Sequence, residues 1–434
     1  MKKFITLGAF LLVLQLQAQQ AQVSLTLEEA IALALQNNHE MQVADLEIEK
    51  AKKKIWETTA IGLPQVSASV DYNYNLNVPV AVFMDQVIEL GARQSLSAVV
   101  QANQLLFNGS YFVGLQSARA FAKISDLAKR KTETSITQAV IASYSMVVIA
   151  DENLNIIDRN IQNSGKILHD VTEIYRAGFT EEQNVEQQSF SLNRLRASRT
   201  VAERQRDMGL LGLKTLLNID PETDLVLLSD LETLMLDNLS PMGATYNVAL
   251  EQHIDYQMAD HQVTINELQV KYQKSMALPQ LSTFFRHGEN NFSQDGKIFM
   301  GFQEFFPSTV WGLQLNIPIF SSFQRRAITQ QAEIDLDIAK VRRDQVQKQM
   351  EQDIRSRQLE YDSALDNYYV IRELVELSQR IYDKEQIKYF EGLSSSMDLT
   401  NTENQLFQAQ NDLIQVSLQL MNAKNELYQA IGRY

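Results

Sequence analysis

Apolar and polar residues alternate along the chain in two separate regions. After Pro64, every second residue is apolar or aromatic up to Leu76, and a second alternating stretch runs from Ser95 to Asn103. The later region repeats the pattern from Leu281 to Phe285 and from Trp311 to Ile317. A period of two is typical of strands with two different faces. The pattern predicts two strand pairs, and residues 79–94 and 287–308 between the paired strands are predicted to be loops.

Between these strand regions the apolar spacing indicates very long helices. The segment from Phe323 to Glu391 has neither glycine nor proline, and the segment from Leu115 to Ala177 contains only Gly165. A helix of roughly 70 residues extends about 100 Å at 1.5 Å per residue. Each is predicted to end at a glycine turn and to return through a second helix, at Glu182–Leu217 and Ser396–Ile431. An earlier helix, opened by a capping box at Thr26-Leu27-Glu28-Glu29, is predicted to run toward Trp56.

The two halves of the chain repeat the same landmarks. Leu63-Pro64-Gln65-Val66-Ser67 recurs 215 residues later as Leu278-Pro279-Gln280-Leu281-Ser282. The sequence Tyr175-Arg176-Ala177-Gly178-Phe179-Thr180 recurs 214 residues later as Tyr389-Phe390-Glu391-Gly392-Leu393-Ser394. A nearly constant offset predicts one structural unit used twice.

The strand pairs allow two interpretations. Alternation marks either a half-buried strand of a soluble sheet or a membrane barrel strand with an apolar outer face and a polar lumen. The second is favoured because the polar face is almost entirely Ser, Asn, Asp and Gln, and because Tyr72, Tyr74 and Trp311 stand where interfacial aromatic residues are expected. Four strands cannot close a barrel, since the smallest need about 8. Open edges are excluded in lipid, so the barrel is predicted to be shared by a homotrimer that supplies twelve strands.

Composition narrows the function classes. The 434 residues carry a net charge of -14, which argues against nucleic acid as a partner. There is no cysteine, so disulfides, thiolate metal sites and a cysteine nucleophile are excluded. Lys2 and Lys3 precede an apolar run to Leu16, and Ala18 ends a cleavage-site pattern, which predicts an export signal peptide. No later segment has the ~20 consecutive apolar residues of a membrane-spanning helix, so any membrane entry is predicted to use strands.

Motifs for catalysis are missing from the sequence. It has no nucleophile elbow, phosphate-binding glycine loop or dinucleotide fingerprint. The closest histidine pair, His253 and His261, lacks the spacing typical of a metal site. We therefore expect no enzyme activity, no catalytic residues, no cofactor and no metal.

Several of these segments resemble one family. The opening Leu25-Thr26-Leu27-Glu28-Glu29-Ala30-Ile31-Ala32-Leu33-Ala34-Leu35, the two Leu-Pro-Gln strand entries and Trp311-Gly312-Leu313-Gln314-Leu315-Asn316-Ile317-Pro318-Ile319-Phe320 are similar to TolC-like outer-membrane efflux proteins. The resemblance covers essentially the whole mature chain. It implies a mainly α fold with a membrane β part: a trimeric twelve-stranded barrel continued by a periplasmic α-helical barrel that tapers to a closed tip.

The resemblance also implies functional residues at the helix-hairpin tips. An adaptor is expected to dock on the tips, at Gly178, Phe179, Thr180, Gly392, Leu393 and Ser394. A constriction is expected at Asp398, which matches one of two family aspartates, whereas Asn401 replaces the other. Tyr389 matches a family tyrosine, but Ser394 and Asn184 replace its charged partners. Closure through uncharged hydrogen bonds among Tyr389, Asn184 and Asn401 is therefore our hypothesis, and Asp398 has the alternative role of a solvated helix cap.

The predicted function is passive conduction as the outer-membrane exit duct of a tripartite efflux system. The expected partners are outer-membrane lipid, a periplasmic adaptor (membrane fusion) protein and an inner-membrane pump of RND or ABC type. Two alternatives stay open: a duct for type I protein secretion, and a non-conducting periplasmic coiled-coil scaffold.

The predicted segments are 1–18 (signal peptide), 19–63 (N-terminal helix), 64–107 (first β-hairpin), 108–217 (first long helix, tip and return helix), 218–245 (linker), 246–278 (first helix of the second repeat), 279–320 (second β-hairpin) and 321–434 (second long helix, tip and return helix).

Overall fold

The computed structural model describes residues 23–239, 250–294, 298 and 304–433. The predicted signal peptide and part of the predicted linker lie outside the described residues. Within them the chain forms two compact units. The sheet unit comprises Leu46–Leu127 and Gln257–Gln345, and the hairpin unit comprises the described parts of Met1–Asp45, Ala128–Tyr256 and Val346–Tyr434.

A four-stranded antiparallel sheet forms the centre of the sheet unit. Its strands are β2 (Gln65–Tyr74), β5 (Gln94–Asn108), β7 (Gln280–Ser293) and β8 (Phe306–Asn316), in the order β2-β5-β7-β8. One bulge shifts the register between Leu105 and Phe107. The two predicted strand pairs therefore exist, and β5 joins them to each other through β7.

Both predicted loops are wrong in part, and residues 295–297 and 299–303 of the second lie outside the described residues. Residues 79–94 contain a small hairpin of β3 (Val80–Phe83) and β4 (Gln86–Glu89), and β7 and β8 extend well into 287–308. The hairpin turns at Met84 and Asp85, which both have positive φ, instead of at the Gly or Asn that marks such turns in a sequence. At Glu289, Asn290 and Asn291 consecutive polar residues hide the alternation, although the strand ladder continues. The alternating stretches from Leu281 to Phe285 and from Trp311 to Ile317 therefore underestimate the lengths of β7 and β8.

The N-terminal helix is also interrupted. The capping box is present, with Glu29 N donating to Thr26 Oγ1 and Thr26 N donating to Glu29 Oε2. However, α1 (Leu27–Asn37) ends at Asn38, whose extended backbone separates it from α2 (His39–Ala60). The Asn38 side chain caps the second helix by accepting from Glu40 N at 2.8 Å and donates to Leu216 O at 3.0 Å. Polar side chains that bond nearby backbone favour such breaks.

The long helices and their returns follow the prediction closely. The first long helix is α3 (Gly109–Arg176, 68 residues), which returns through α4 (Glu182–Leu217). The short α5 (Leu231–Asn238) and α6 (Ile254–Ser275) precede the second sheet region. The second long helix is α7 (Gln324–Phe390, 67 residues), which returns through α8 (Ser396–Ala430). Helices of this length far exceed the average of about 11–12 residues.

One described helix, α3, is long and apolar enough to cross a membrane. Its most apolar 18-residue window has a mean hydropathy of 1.3, and 44% of that window is buried. A buried core helix meets the same test, so this finding is weak support for a span.

The main core lies in the hairpin unit. Tyr144 of α3 is fully buried in it, and its hydroxyl donates to Leu25 O at 3.1 Å and accepts from Ser229 N at 3.2 Å. Leu25 ends β1 (Val23–Leu25), which pairs in parallel with β6 (Leu225–Leu227). A single tyrosine therefore connects this small sheet to the long helix, because its ring is buried in the core and its hydroxyl is hydrogen-bonded there.

Candidate functional site

The two helix-hairpin tips share one backbone geometry. We define the first tip as residues 174–184 and the second tip as residues 388–398. Phe179 N donates to Ile174 O at 3.0 Å, and Leu393 N donates to Lys388 O at 2.8 Å. Gly178 and Gly392 have φ values of +80° and +75°. These are Schellman motifs, which place a left-handed residue after the helix and favour glycine there. Both predicted glycine turns are confirmed.

The residue after each glycine is apolar and points into solvent. Phe179 is 86% exposed and Leu393 is 73% exposed. The next residues are held by side-chain bonds: Thr180 Oγ1 accepts from Asn184 Nδ2 at 2.7 Å, and Ser394 Oγ donates to Glu385. Each tip therefore presents its most exposed apolar side chain, Phe179 or Leu393, on a fixed turn. Exposed apolar residues on rigid supports are typical of protein docking sites.

Asp398 lies in the first turn of α8. Its backbone N donates to Ser395 Oγ at 3.2 Å, and Ser395 Oγ in turn donates to Asp398 Oδ2 at 2.7 Å. The carboxylate thus takes part in the helix cap, which is the alternative role that the sequence suggested. It is also exposed, as is Asn401 three residues later. Positions three apart lie on one side of a helix, so Asp398 and Asn401 share a face of α8.

The other two predicted closing residues have partners of their own. Asn184 bonds to Thr180, as described above. Tyr389 is half-buried against the small core formed by Ile167, Val171, Tyr382, Leu399 and Leu406. Burial raises the pKa of the Tyr389 hydroxyl, although its hydrogen bond with Ser396 acts in the opposite direction. A network joining Tyr389, Asn184 and Asn401 stays a prediction.

Sequence reasoning missed a buried polar cluster, which lies in the same small core. Glu403 Oε2 accepts from Ser191 Oγ at 2.8 Å, and Gln188 Nε2 donates to the fully buried Ser164 Oγ at 2.9 Å. Burial raises the pKa of the Glu403 carboxyl, while the hydroxyl bonds and the charge of Arg194 lower it by less. The sequence signal that could have revealed this cluster was the glutamate itself, which stands on one helix between the apolar residues Leu399 and Leu406. Both of these residues are buried.

The predicted membrane-facing aromatic residues lie on one face of the sheet. Residues directly opposite each other in antiparallel strands share a face. Trp311 lies opposite Phe285, which lies opposite Ala102, and Ala102 lies opposite Val66. Alternate residues of a strand share a face, so Tyr72 and Tyr74 lie on the same face as Val66. They lie near the end of the sheet that leads into β3 and β4 (the β3–β4 end), whereas Trp311 lies nearer the other end. All three are exposed, and Trp311 is 68% exposed. Their contact with lipid stays a prediction.

This face is not apolar throughout. The part nearest α7 carries mainly apolar side chains, including Leu313 and Leu315. Toward the β3–β4 end the same face carries His287 and Glu289, and His287 Nδ1 lies 2.7 Å from Thr309 Oγ1. The alternation in the sequence did not reveal this change along β7. The apolar band is therefore shorter than the strands.

Comparison with known proteins gives a consistent result. The sequence profile of the outer membrane efflux protein family matches residues 30–218 and 245–433, which is nearly the whole chain. The chain belongs to the outer membrane efflux protein family. The two matched ranges correspond to the two repeats inferred from the constant offset.

Solved structures of similar fold support this assignment. The chain is similar to CusC, described as forming a transmembrane channel, with a TM-score of 0.76 and 18% identity over 93% of this chain and 91% of the other. VceC from Vibrio cholerae gives a TM-score of 0.72 at 14% identity, covering 94% and 96%. The MtrE outer membrane channel of Neisseria gonorrhoeae gives 0.72 at 17%, covering 94% and 88%. The search among curated proteins gave no match.

Membership in the outer membrane efflux protein family confirms several predictions. The chain is mainly helical with a four-stranded β part and an internal duplication. It is an outer-membrane protein that extends into the periplasm, and it acts in efflux as a transport channel.

Proposed function

We propose that three copies of this outer membrane efflux protein close into a single duct, which passively conducts substrates delivered by an inner-membrane pump through a periplasmic adaptor. The open edges of the sheet carry this proposal. In the order β2-β5-β7-β8, the outer edges of β2 and β8 have no strand partner among the described residues. Unpaired backbone groups are very costly in lipid, so the edges need partners from other copies. Three copies supply twelve strands, and a cyclic trimer closes the ring.

The two tips are the proposed docking sites for the adaptor. Each offers an apolar side chain, Phe179 or Leu393, on a Schellman turn, with a hydroxyl residue beside it. Because the turns have the same geometry, one kind of adaptor surface fits both. Docking buries the exposed ring or isobutyl group, which favours binding through the hydrophobic effect.

The second tip is the proposed site of the constriction. A three-fold axis places three copies of Asp398 around one opening, with Asn401 one turn further along α8. Three carboxylates around a narrow lumen attract cations and repel anions. The exposed position of Asp398 supports this role, since its cap bond to Ser395 leaves the charge accessible to water.

The decisive experiment combines mass and conductance. The native protein is purified in detergent, its protein mass is measured by light scattering, and its current is recorded in a planar bilayer. We expect a mass of three mature chains, each lighter than the 49.5 kDa of the full sequence because the predicted signal peptide is removed, and a small cation-selective current. A water-soluble protein that is not trimeric and carries no current contradicts the duct and favours the periplasmic scaffold.

A second measurement tests the orientation of the sheet. The chain has only two tryptophans, Trp56 and Trp311, so the Trp56→Phe variant reports on Trp311 alone. In vesicles containing brominated phospholipids, we expect strong quenching of Trp311 fluorescence because the side chain faces the acyl chains. Emission equal to that in unbrominated vesicles contradicts a lipid-facing position.

A further inference from the structure

The β3–β4 hairpin exposes apolar side chains on both of its faces. Its register places Val80, Val82 and Val87 on one face, and Ala81, Phe83 and Ile88 on the other. All except Ala81 are exposed, with Val82 at 69% and Phe83 at 63%. An isolated two-stranded hairpin is only marginally stable in water. The exposed faces therefore indicate a packing partner.

The base of this hairpin is held firmly. Asn75 N donates to Arg93 O and Asn75 Nδ2 donates to Ala92 O, each at 2.8 Å. From the end of β7, Gln294 Nε2 donates to Gly91 O at 2.6 Å. These bonds fix the hairpin to the end of the sheet, so both apolar faces are presented in a defined direction.

Charge disfavours an anionic surface as the partner. Between residues 75 and 92 the only charged side chains are those of Asp85 and Glu89. Arg93 at the base is the nearest cation in sequence, so the outer part of the hairpin carries only negative charge, which a surface rich in lipid phosphates repels. The apolar side chains of the hairpin therefore fit an apolar protein surface better.

The position and the two faces of the hairpin identify that partner as another copy of the same chain. The hairpin continues β2, which is an edge strand of the sheet. In a cyclic trimer each copy uses one patch against its neighbour on one side and a different patch on the other. The hairpin has two distinct apolar patches of this kind.

We propose that the three β3–β4 hairpins of the trimer pack in a ring over the extracellular end of the duct. The Val82 face of each copy contacts the Phe83 and Ile88 face of the next. This inference rests on the proposed trimer and adds an interface outside the barrel. It gives the duct a second narrow point, at the end of the sheet where β2 leads into the hairpin.

Cysteine crosslinking tests the ring, since the native chain has no cysteine. The variant carrying both Val82→Cys and Ile88→Cys is oxidised with copper phenanthroline as the purified trimer. We expect covalent dimers and trimers on a non-reducing gel. Val82 and Ile88 lie on opposite faces of one hairpin, so a bond within a chain is disfavoured. The matched single variants should stay monomeric on the gel, because like faces do not meet.

Light scattering of the same samples separates the two proposals. A trimer without crosslinks in the double variant overturns the ring but keeps the duct. Crosslinking by Val82→Cys alone, as efficient as in the double variant, overturns the face-to-face arrangement. A sample that is not trimeric contradicts the proposed duct itself.

Maleimide labelling gives an independent test that needs only single variants. In the native trimer we expect Val82→Cys to react at least ten times more slowly than Met84→Cys at the hairpin turn. After denaturation the two rates should be equal. Equal rates in the native trimer contradict the ring, because a free hairpin exposes both positions.

Discussion

The first and second tips have the same backbone turn and different side-chain chemistry. Both end a long helix with a glycine at positive φ, and both expose an apolar residue directly after it. At the start of the return helices they differ. Glu181 at the first tip makes no side-chain cap bond, whereas Ser395 at the second tip caps α8 through Asp398.

Each tip has one ion pair beside it, and at the second tip the carboxylate of that pair also accepts a hydrogen bond from a hydroxyl. Glu385 accepts from Ser394 and pairs with Lys388 at 3.0 Å, and these bonds lower the pKa of its carboxyl. The first tip has the exposed Arg176–Glu173 pair at 2.6 Å. The comparison teaches that the turn depends on glycine and on helix geometry alone. The polar residues around it can therefore differ between the tips without changing the turn.

The largest expected effect is on ion selectivity. Asp398→Asn removes the charge and keeps an oxygen that can accept from Ser395. In the trimer we expect the ratio of cation to anion permeability, measured as a reversal potential under a salt gradient, to fall severalfold toward one.

Glu181→Gln at the first tip is the matched control and should leave the reversal potential unchanged. If both variants change selectivity equally, the two tips are not distinct in function. If neither does, Asp398 is only a helix cap.

The next effect concerns the shared turn. Gly178→Ala and Gly392→Ala should each destabilise their tip by about 1–2 kcal/mol, because an L-residue is strained at positive φ. No neighbouring atom lies within 4 Å of the added Cβ at either site, so the backbone is the cause. Amide hydrogen exchange at the end of α3 or α7 should become about tenfold faster. Asn at the same positions should cost less, and an equal cost for Ala and Asn contradicts this explanation.

A smaller effect on stability is expected from the side-chain helix cap, which only the second tip has. Ser395→Ala should destabilise the start of α8 by about 1 kcal/mol, because the N–H of Asp398 loses its acceptor. Hydrogen exchange in the first turn of α8 should become about fivefold faster. Glu181→Ala should leave the first turn of α4 unchanged. Equal responses in both helices contradict the difference in capping.

The smallest effect is a pH dependence from Glu403. Because burial raises the folded-state pKa above the unfolded value, its contribution to stability is complete below the unfolded pKa and is lost as pH rises through the folded pKa. Glu403→Gln keeps the polar contacts but cannot ionise, so the stability of the variant does not fall in this way as pH rises. We expect the midpoint of thermal unfolding of the variant to exceed that of the native chain more at pH 8 than at pH 4. An offset that is the same at both values contradicts a shifted pKa at this residue.

Much of the architecture followed from local signals. The Thr26 capping box, the glycines at 178 and 392 and the return helix Glu182–Leu217 were all predictable because caps and turns depend on a few neighbouring residues. The break at Asn38 was not, since its side chain also bonds to Leu216, which is remote in sequence. The β3–β4 hairpin was missed because Met84 and Asp85 occupy a turn that usually requires Gly or Asn.

Periodicity and backbone preference are local properties, so the duplication, the long helices, the four strands and the glycine turns could all be predicted without the structure. Other features are visible only in the folded chain: β5 pairs with β7, Glu403 lies half-buried beside Ser191, and His287 and Glu289 share a face with Trp311. These results depend on which remote segments meet and in which register. A local pattern cannot specify them, because one residue of slip moves every side chain of a strand to the opposite face.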